Sequence, residues 1–186
     1  MTLLDYANWV PLPAPLAAAA PITSFTSPDG EVWVAKGGVN GGQWRKARDV
    51  LYAHVYIAAP ATGNTGQVAL NFDTPQRDVY GMWNGSNGLQ APIGGTWRYE
   101  SQAICGFGAT SNTLAIWGFA GGQNLYYCTS TGSGGFGGYS VSCYGSKAFY
   151  FASGLLFTTQ FRQSAVANLI AGQALTFATL TYVGTG

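Results

Sequence analysis

Apolar and polar residues alternate with a period of two along most of this chain. Val68, Leu70 and Phe72 alternate with Ala69, Asn71 and Asp73, which predicts a half-buried strand over 67–73. A turn-rich connection follows over 78–88, marked by Gly81, Gly85, Asn87 and Gly88. Beyond it, Trp97, Tyr99, Ser101 and Ala103 share one face of a strand over 96–104, and Thr96, Arg98, Glu100 and Gln102 share the other. One apolar and one polar face is the pattern of an antiparallel sheet packed on one side and wet on the other. The same period puts Leu51, Ala53, Val55 and Ile57 on one face of a strand over 51–57, and Tyr52, His54 and Tyr56 on the opposite face. Shorter strands are predicted over 31–35, 114–119, 125–129, 139–144, 147–152, 155–160 and 174–183, the last apolar on both faces. Together these make about nine or ten strands at the spacing of a β-sandwich. A single helical turn is expected over 164–171. The run TGSGGFGG, 131–138, offers little to pack and reads as a mobile hairpin loop.

The first 28 residues read differently. Pro11, Pro13, Pro15 and Pro21 favour extended chain and forbid a helix interior. Leu3, Leu4, Tyr6, Trp9 and Val10 make this arm too apolar to float free, so it packs either on its own domain or on a neighbouring subunit. Asp29-Gly30 then opens a hairpin, and Gly37-Gly38 and Gly41-Gly42 bracket a second turn. The expected division is an arm and hairpin over 1–48 for attachment, followed by one sandwich domain over 49–186. Gly-Gly-Val-Asn-Gly-Gly is not a phosphate loop, because it lacks the Gly-Lys-Ser/Thr ending and a following amphipathic helix.

The segment Leu70-x-Phe72-Asp73-Thr74, the acidic turn, Gly81-Met82-Trp83 and Leu89-x-Ala91-Pro92-Ile93-Gly94-Gly95-Thr96-Trp97-Arg98-Tyr99 resembles the core of the TNF-like jelly roll. That fold is shared by complement globular heads and many bacteriophage virion proteins. The absence of a collagen-like Gly-X-Y run before the domain favours the phage branch. The hairpin from Trp33 to Trp44 also resembles a segment of small virion proteins from phages of actinobacteria. The resemblance implies an antiparallel jelly roll that forms homotrimers by packing an aromatic-rich sheet face on its neighbour. It implies a non-enzymatic virion surface protein assembled in the host cytoplasm, decorating the capsid, with residues 1–48 docking on other virion proteins. A minor tail or receptor-binding, lectin-like module contacting host glycans is the alternative.

Composition narrows the function classes. Charged residues are 8% of the chain, far below the roughly 25% of globular domains. The net charge is +1, with no basic stripe to neutralise phosphates, so nucleic acid is not an expected partner. Aromatics at 15% argue against disorder and suit a rigid β-protein that covers part of its surface with copies of itself. No apolar run is long enough to insert in a membrane as a helix. LPAPLAAAAP mimics a signal peptide, but Asp5 precedes it, no Lys or Arg does, and prolines interrupt it. Cys105, Cys128 and Cys143 cannot all pair within one chain and have no zinc spacing. Three reduced thiols are the favoured reading, and a Cys128–Cys143 bridge is the other.

Candidate chemistry is sparse. Asp73 and Asp78 bracket a turn, and their types suit backbone capping better than a glycosidase pair or, with Asn84, a calcium loop. His54 is the sole histidine, and no Gly-x-Ser-x-Gly elbow accompanies it. No catalytic residue, metal or cofactor is expected. Tyr52, His54, Tyr56, Phe149, Phe151 and Tyr182 are the expected trimer interface. Trp83 and Asn84, in a Gly/Asn loop, are the expected surface contact, with glycan faces as the candidate partner.

Overall fold

The computed structural model describes residues 4–5, 10–11, 21–37, 39, 42–62, 65–107, 112–132, 139–164 and 168–185. Most of the arm and the glycine run at 133–138 lie outside them. In chain order the strands are β1 (Leu4–Asp5), β2 (Val10–Pro11), β3 (Thr23–Thr26), β4 (Val32–Ala35), β5 (Arg45–Lys46), β6 (Tyr52–Tyr56), β7 (Ala61–Thr62), β8 (Val68–Ala69) and β9 (Thr74–Arg77). They continue with β10 (Gly88–Gln90), β11 (Gly95–Phe107), β12 (Asn112–Ala120), β13 (Gln123–Gly132), β14 (Tyr139–Phe151), β15 (Leu156–Gln163), β16 (Asn168–Leu169) and β17 (Phe177–Gly184). The helix α1 (Ala47–Val50) is a single turn.

All pairings are antiparallel, and two sheets form a sandwich. The larger has β14 at one edge, then β11, β17, β6 and β9, with β16 and β7 continuing past the end of β17. The smaller runs β10, β15, β12, β13, with β8 also paired to β15. The alternation read from the sequence sets the faces: Trp97, Tyr99, Ser101, Ala103 and Cys105 of β11 are buried between the sheets with Leu114, Ile116, Phe157, Ala178 and Leu180. Trp97 is fully buried, its indole N–H donates to the Ile93 carbonyl at 3.1 Å, and its ring meets the edge of Tyr182.

Hydroxyl pairs join the two sheets across this core. Tyr99 Oη and Thr159 Oγ1 lie 2.8 Å apart, and Tyr126 Oη lies 2.6 Å from Ser101 Oγ. Tyr126 enters from β13 and its ring occupies a slot left by two glycines. A Cβ on Gly118 would stand 2.4 Å from that ring, and one on Gly145 would stand 2.2 Å from it. Burial pushes the phenols of Tyr99 and Tyr126 well above their ordinary range, so both remain neutral hydroxyls.

A third sheet, β3-β4-β5, packs on the sandwich. Val34 and Ala47 join the same buried cluster as Trp97, Phe25 meets Trp44 edge-on at 5.0 Å, and Lys36 Nζ donates to the Tyr80 carbonyl at 2.8 Å.

Several predicted elements shift. The strand expected over 67–73 is only Val68–Ala69, although Leu70 and Phe72 are buried as their alternation requires. Residues 139–144 and 147–152 are not two strands: β14 runs unbroken through Gly145, because pairing with β11 continues along its whole length. Of the helical turn expected over 164–171, residues 165–167 lie outside the described residues, and Asn168–Leu169 form β16, which bonds to β7 and β11. The last part of the arm, Thr23–Thr26, is a strand.

The glycine slot yields a direct test. Gly145→Ala drives a methyl into the ring of Tyr126, held by its hydroxyl bond, and should cost about 1–3 kcal/mol in urea unfolding. Trp97→Ala should cost about 3–5 kcal/mol. A Gly145→Ala protein as stable as the parent would mean that Tyr126 does not fill this slot.

Candidate functional site

Because β11 turns Trp97, Tyr99 and Ser101 inward, Arg98, Glu100, Gln102 and Ile104 fall on the open face of the large sheet. Register carries the same side across the neighbouring strands. Opposite these residues stand Thr181, Thr179 and Phe177 of β17, and Ala148, Ser146, Tyr144 and Ser142 of β14. Tyr52, His54 and Tyr56 of β6 continue the face beyond Thr181, Thr179 and Phe177, and Arg77 of β9 lies opposite His54.

Two patches organise this face. In the first, His54 stacks on Phe177 with ring centroids 5.1 Å apart, and the Arg77 guanidinium lies 5.5 Å above Tyr52. His54 Nε2 is 2.8 Å from the Gln173 carbonyl, an acceptor that makes this nitrogen an N–H donor. In the second, Glu100 is held by hydroxyls: Tyr144 Oη donates to it at 2.7 Å, Ser146 Oγ at 3.2 Å and Thr179 Oγ1 at 3.1 Å. Around these patches the face stays open, with Tyr144 48% and Tyr150 66% exposed.

The expected interface residues divide by register. Tyr52, His54 and Tyr56 share the open face. Phe149, Phe151 and Tyr182 are turned toward the inter-sheet side instead. Tyr182 is buried against Trp97, and Phe151 meets Phe157 edge-on at 4.9 Å. Phe149 points the same way, opposite Trp97, yet remains 44% exposed. Tyr144, Tyr150 and Phe177 stand on the open face in their stead. The sequence signal for this was present: Val141 and Cys143 are inward, and carrying their alternation through Gly145 puts Tyr144 and Tyr150 outward.

The predicted surface contact is built into its own loop. Asp78 accepts from the Met82 N–H at 2.6 Å and the Trp83 N–H at 3.0 Å. Asn84 Oδ1 accepts from the N–H groups of Ser86 and Gly88, and Trp83 packs partly against the core. Asp73 accepts from the Ala58 N–H at 2.8 Å and from the Thr74 hydroxyl. Both acids therefore cap backbone, as their turn positions suggested.

Among the described residues, no group of His, Cys, Asp and Glu is placed to hold a metal ion. All three cysteines are free. Cys143 Sγ donates to the Leu114 carbonyl at 3.1 Å, and burial together with nearby Cys128 raises its pKa. Burial pushes the Cys105 thiol up to about 11 despite a hydrogen bond from Gln163. Neither thiol is a reactive thiolate at neutral pH.

No protein-family model and no curated protein matches the chain. Among solved structures it is similar to the crystal structure of murine APRIL at pH 8.0, with a TM-score of 0.52 at 14% identity over 71% of this chain and 98% of that one. The murine APRIL structure at pH 8.5 gives 0.51 at 14% identity over 71% and 99%. Eiger TNF from S. frugiperda gives 0.49 at 12% identity over 73% and 93%. The sandwich is thus a TNF-like jelly roll, the fold that the segment from Leu70 to Tyr99 resembles.

His54 supplies a pH test. Burial lowers its pKa below 6.5, outweighing the Gln173 carbonyl, and Tyr52, Tyr56, Phe177, Thr179 and Arg77 surround it, with no carboxylate partner among the described residues. The unfolded chain then binds the extra proton first, so this contribution to stability is complete above 6.5 and is lost as pH falls below it. His54→Gln should therefore lose less stability than the parent between roughly pH 8 and pH 5. Parallel unfolding curves for the two proteins would contradict a buried neutral His54.

Proposed function

We propose that this chain is a non-enzymatic structural protein that works by association, as a homotrimer packed through the open face of its large sheet. The observation that supports this most is the pairing of fold and face. A TNF-like jelly roll leaves outward, on one sheet, the rings of Tyr52, Tyr56, Phe177, Tyr144 and Tyr150. Exposed aromatic area of this kind marks association sites on soluble proteins. His54 is engaged within its own sheet, with Nε2 2.8 Å from the Gln173 carbonyl and Nδ1 3.4 Å from the Tyr52 hydroxyl.

The finer reading is a bacteriophage virion protein, a trimer on the particle surface that decorates or stabilises the capsid. It rests on the resemblance of the Trp33–Trp44 hairpin and the Leu70–Tyr99 segment to virion proteins. In this reading residues 1–48 carry attachment and 49–186 form the trimerising domain. The arm's apolar residues, Leu3, Leu4, Tyr6, Trp9 and Val10, suit a surface on a neighbouring virion subunit.

The test is mass in solution. Three chains of 19.5 kDa should scatter as one particle near 58 kDa. Tyr150→Glu, at a 66% exposed position, should give a folded monomer, because a surface substitution by itself changes stability by about 0.5 kcal/mol or less. A monomeric parent protein at micromolar concentration would overturn the assembly reading.

A further inference from the structure

The small sheet carries a recess on its own outward face, on the opposite side of the sandwich from the proposed self-association face. Leu114 and Ile116 of β12 are fully buried, which leaves Thr113, Ala115 and Trp117 pointing away from the core. Register then sets Tyr127 beside Trp117, Thr131 beside Thr113 and Arg162 beside Ala115. The small side chain of Ala115 keeps the floor low between taller neighbours, and a groove of about 260 Å³ opens there.

Its walls differ in chemistry. On one side Trp117 and Tyr127 form an aromatic platform, centroids 5.1 Å apart and tilted by 36°, with Tyr127 56% exposed. Facing it, Arg162 is anchored at its root, where Nε donates to the Thr65 carbonyl at 3.1 Å. That bond leaves the terminal guanidinium nitrogens as donors, and among the described residues no carboxylate forms an ion pair with them. At the polar end the hydroxyls of Thr113 and Thr131 lie 3.0 Å apart, and Ser164 Oγ accepts the Thr113 N–H at 2.8 Å.

We propose that this groove binds a single carboxylate-bearing sugar ring, the uronate-type unit of an acidic glycan. The C–H face of a pyranose packs against the electron-rich face of an aromatic ring, which the Trp117–Tyr127 platform supplies. The fork of an arginine matches a carboxylate in bidentate geometry, which a neutral sugar cannot exploit. Hydroxyls at the far end match ring hydroxyls. The volume lies below the roughly 300–1,000 Å³ of pockets for drug-sized ligands, which limits the occupant to one small unit. This site is separate from the Trp83 loop, whose polar groups are spent on its own turn.

The test is a titration of the full chain with methyl β-D-glucuronide and with methyl β-D-glucoside, followed by NMR of the tryptophan indole N–H signals. The glucuronide should shift one indole signal with a saturable, millimolar Kd, and the glucoside should bind roughly tenfold more weakly or worse. Arg162→Gln should weaken the glucuronide by about tenfold and bring it level with the glucoside. Tyr127→Ala, at an exposed position, should weaken both sugars while leaving the other indole signals in place. The proposal fails if the glucuronide gives no saturable shift, if the two sugars bind alike to the parent protein, or if Arg162→Gln binds the glucuronide unchanged. The readout is independent of oligomeric state, so it fails or succeeds separately from the trimer.

Discussion

Tyr126 is the contact on which the sandwich depends. Its ring lies in the gap left by Gly118 on β12 and Gly145 on β14, its hydroxyl reaches Ser101 on β11, and its face stacks near Tyr99. One side chain from the edge strand β13 therefore touches both sheets and closes the open end of the sandwich. The two glycines explain a feature that looks wasteful in a strand, where a residue without a side chain weakens pairing. Their cost is offset by the packing of the partly buried Tyr126 ring against the core. The ring is anchored by its hydroxyl bond to Ser101, which ties β13 to β11 across the core.

Register within each sheet determines what its outer face offers. On the large sheet it leaves Glu100 ringed by hydroxyls and His54 stacked on Phe177, a surface rich in rings and poor in net charge. On the small sheet it leaves a dip over Ala115 with one cation at its rim. The two faces suit different partners. In the proposed reading one packs on a copy of itself, and the other takes a small polar ring with an acid group. A protein this poor in charge concentrates its specificity in the few charges that it places on those faces.

Much of the fold was legible because period-2 alternation is strict wherever a strand has one buried face. Trp97, Tyr99, Ser101 and Ala103 are inside as their spacing required, and so are Leu51, Ala53, Val55 and Ile57. The segment 67–73 was misread because Leu70 and Phe72 are buried by a chain that packs without extended ladder bonding. The interface was half legible. Tyr52, His54 and Tyr56 lie on one face within a single strand. Placing Phe149 and Phe151 required carrying the alternation of Val141 and Cys143 through Gly145, and the unbroken pairing with β11 is what licenses that step. The groove at Ala115 was not legible at all. Its walls come from three strands whose register only the folded sheet defines.

The order of strands within the large sheet has a consequence for how the protein is made. β17 lies between β6 and β11, so it bridges an early part of the chain and a middle part, and it is the latest of the strands in chain order. Until it is synthesised, β6 and β11 have no common neighbour, both present unpaired edges, and Trp97 lacks the Tyr182 ring that packs on it. Folding along the growing chain therefore stops at incomplete layers, and closure waits for residues 177–184. Long-range pairing of this kind is slow and exposes aggregation-prone edges meanwhile. Whatever has assembled before residues 177–184 insert therefore carries two open edges, and the central position of β17 makes its insertion the step that closes the sheet.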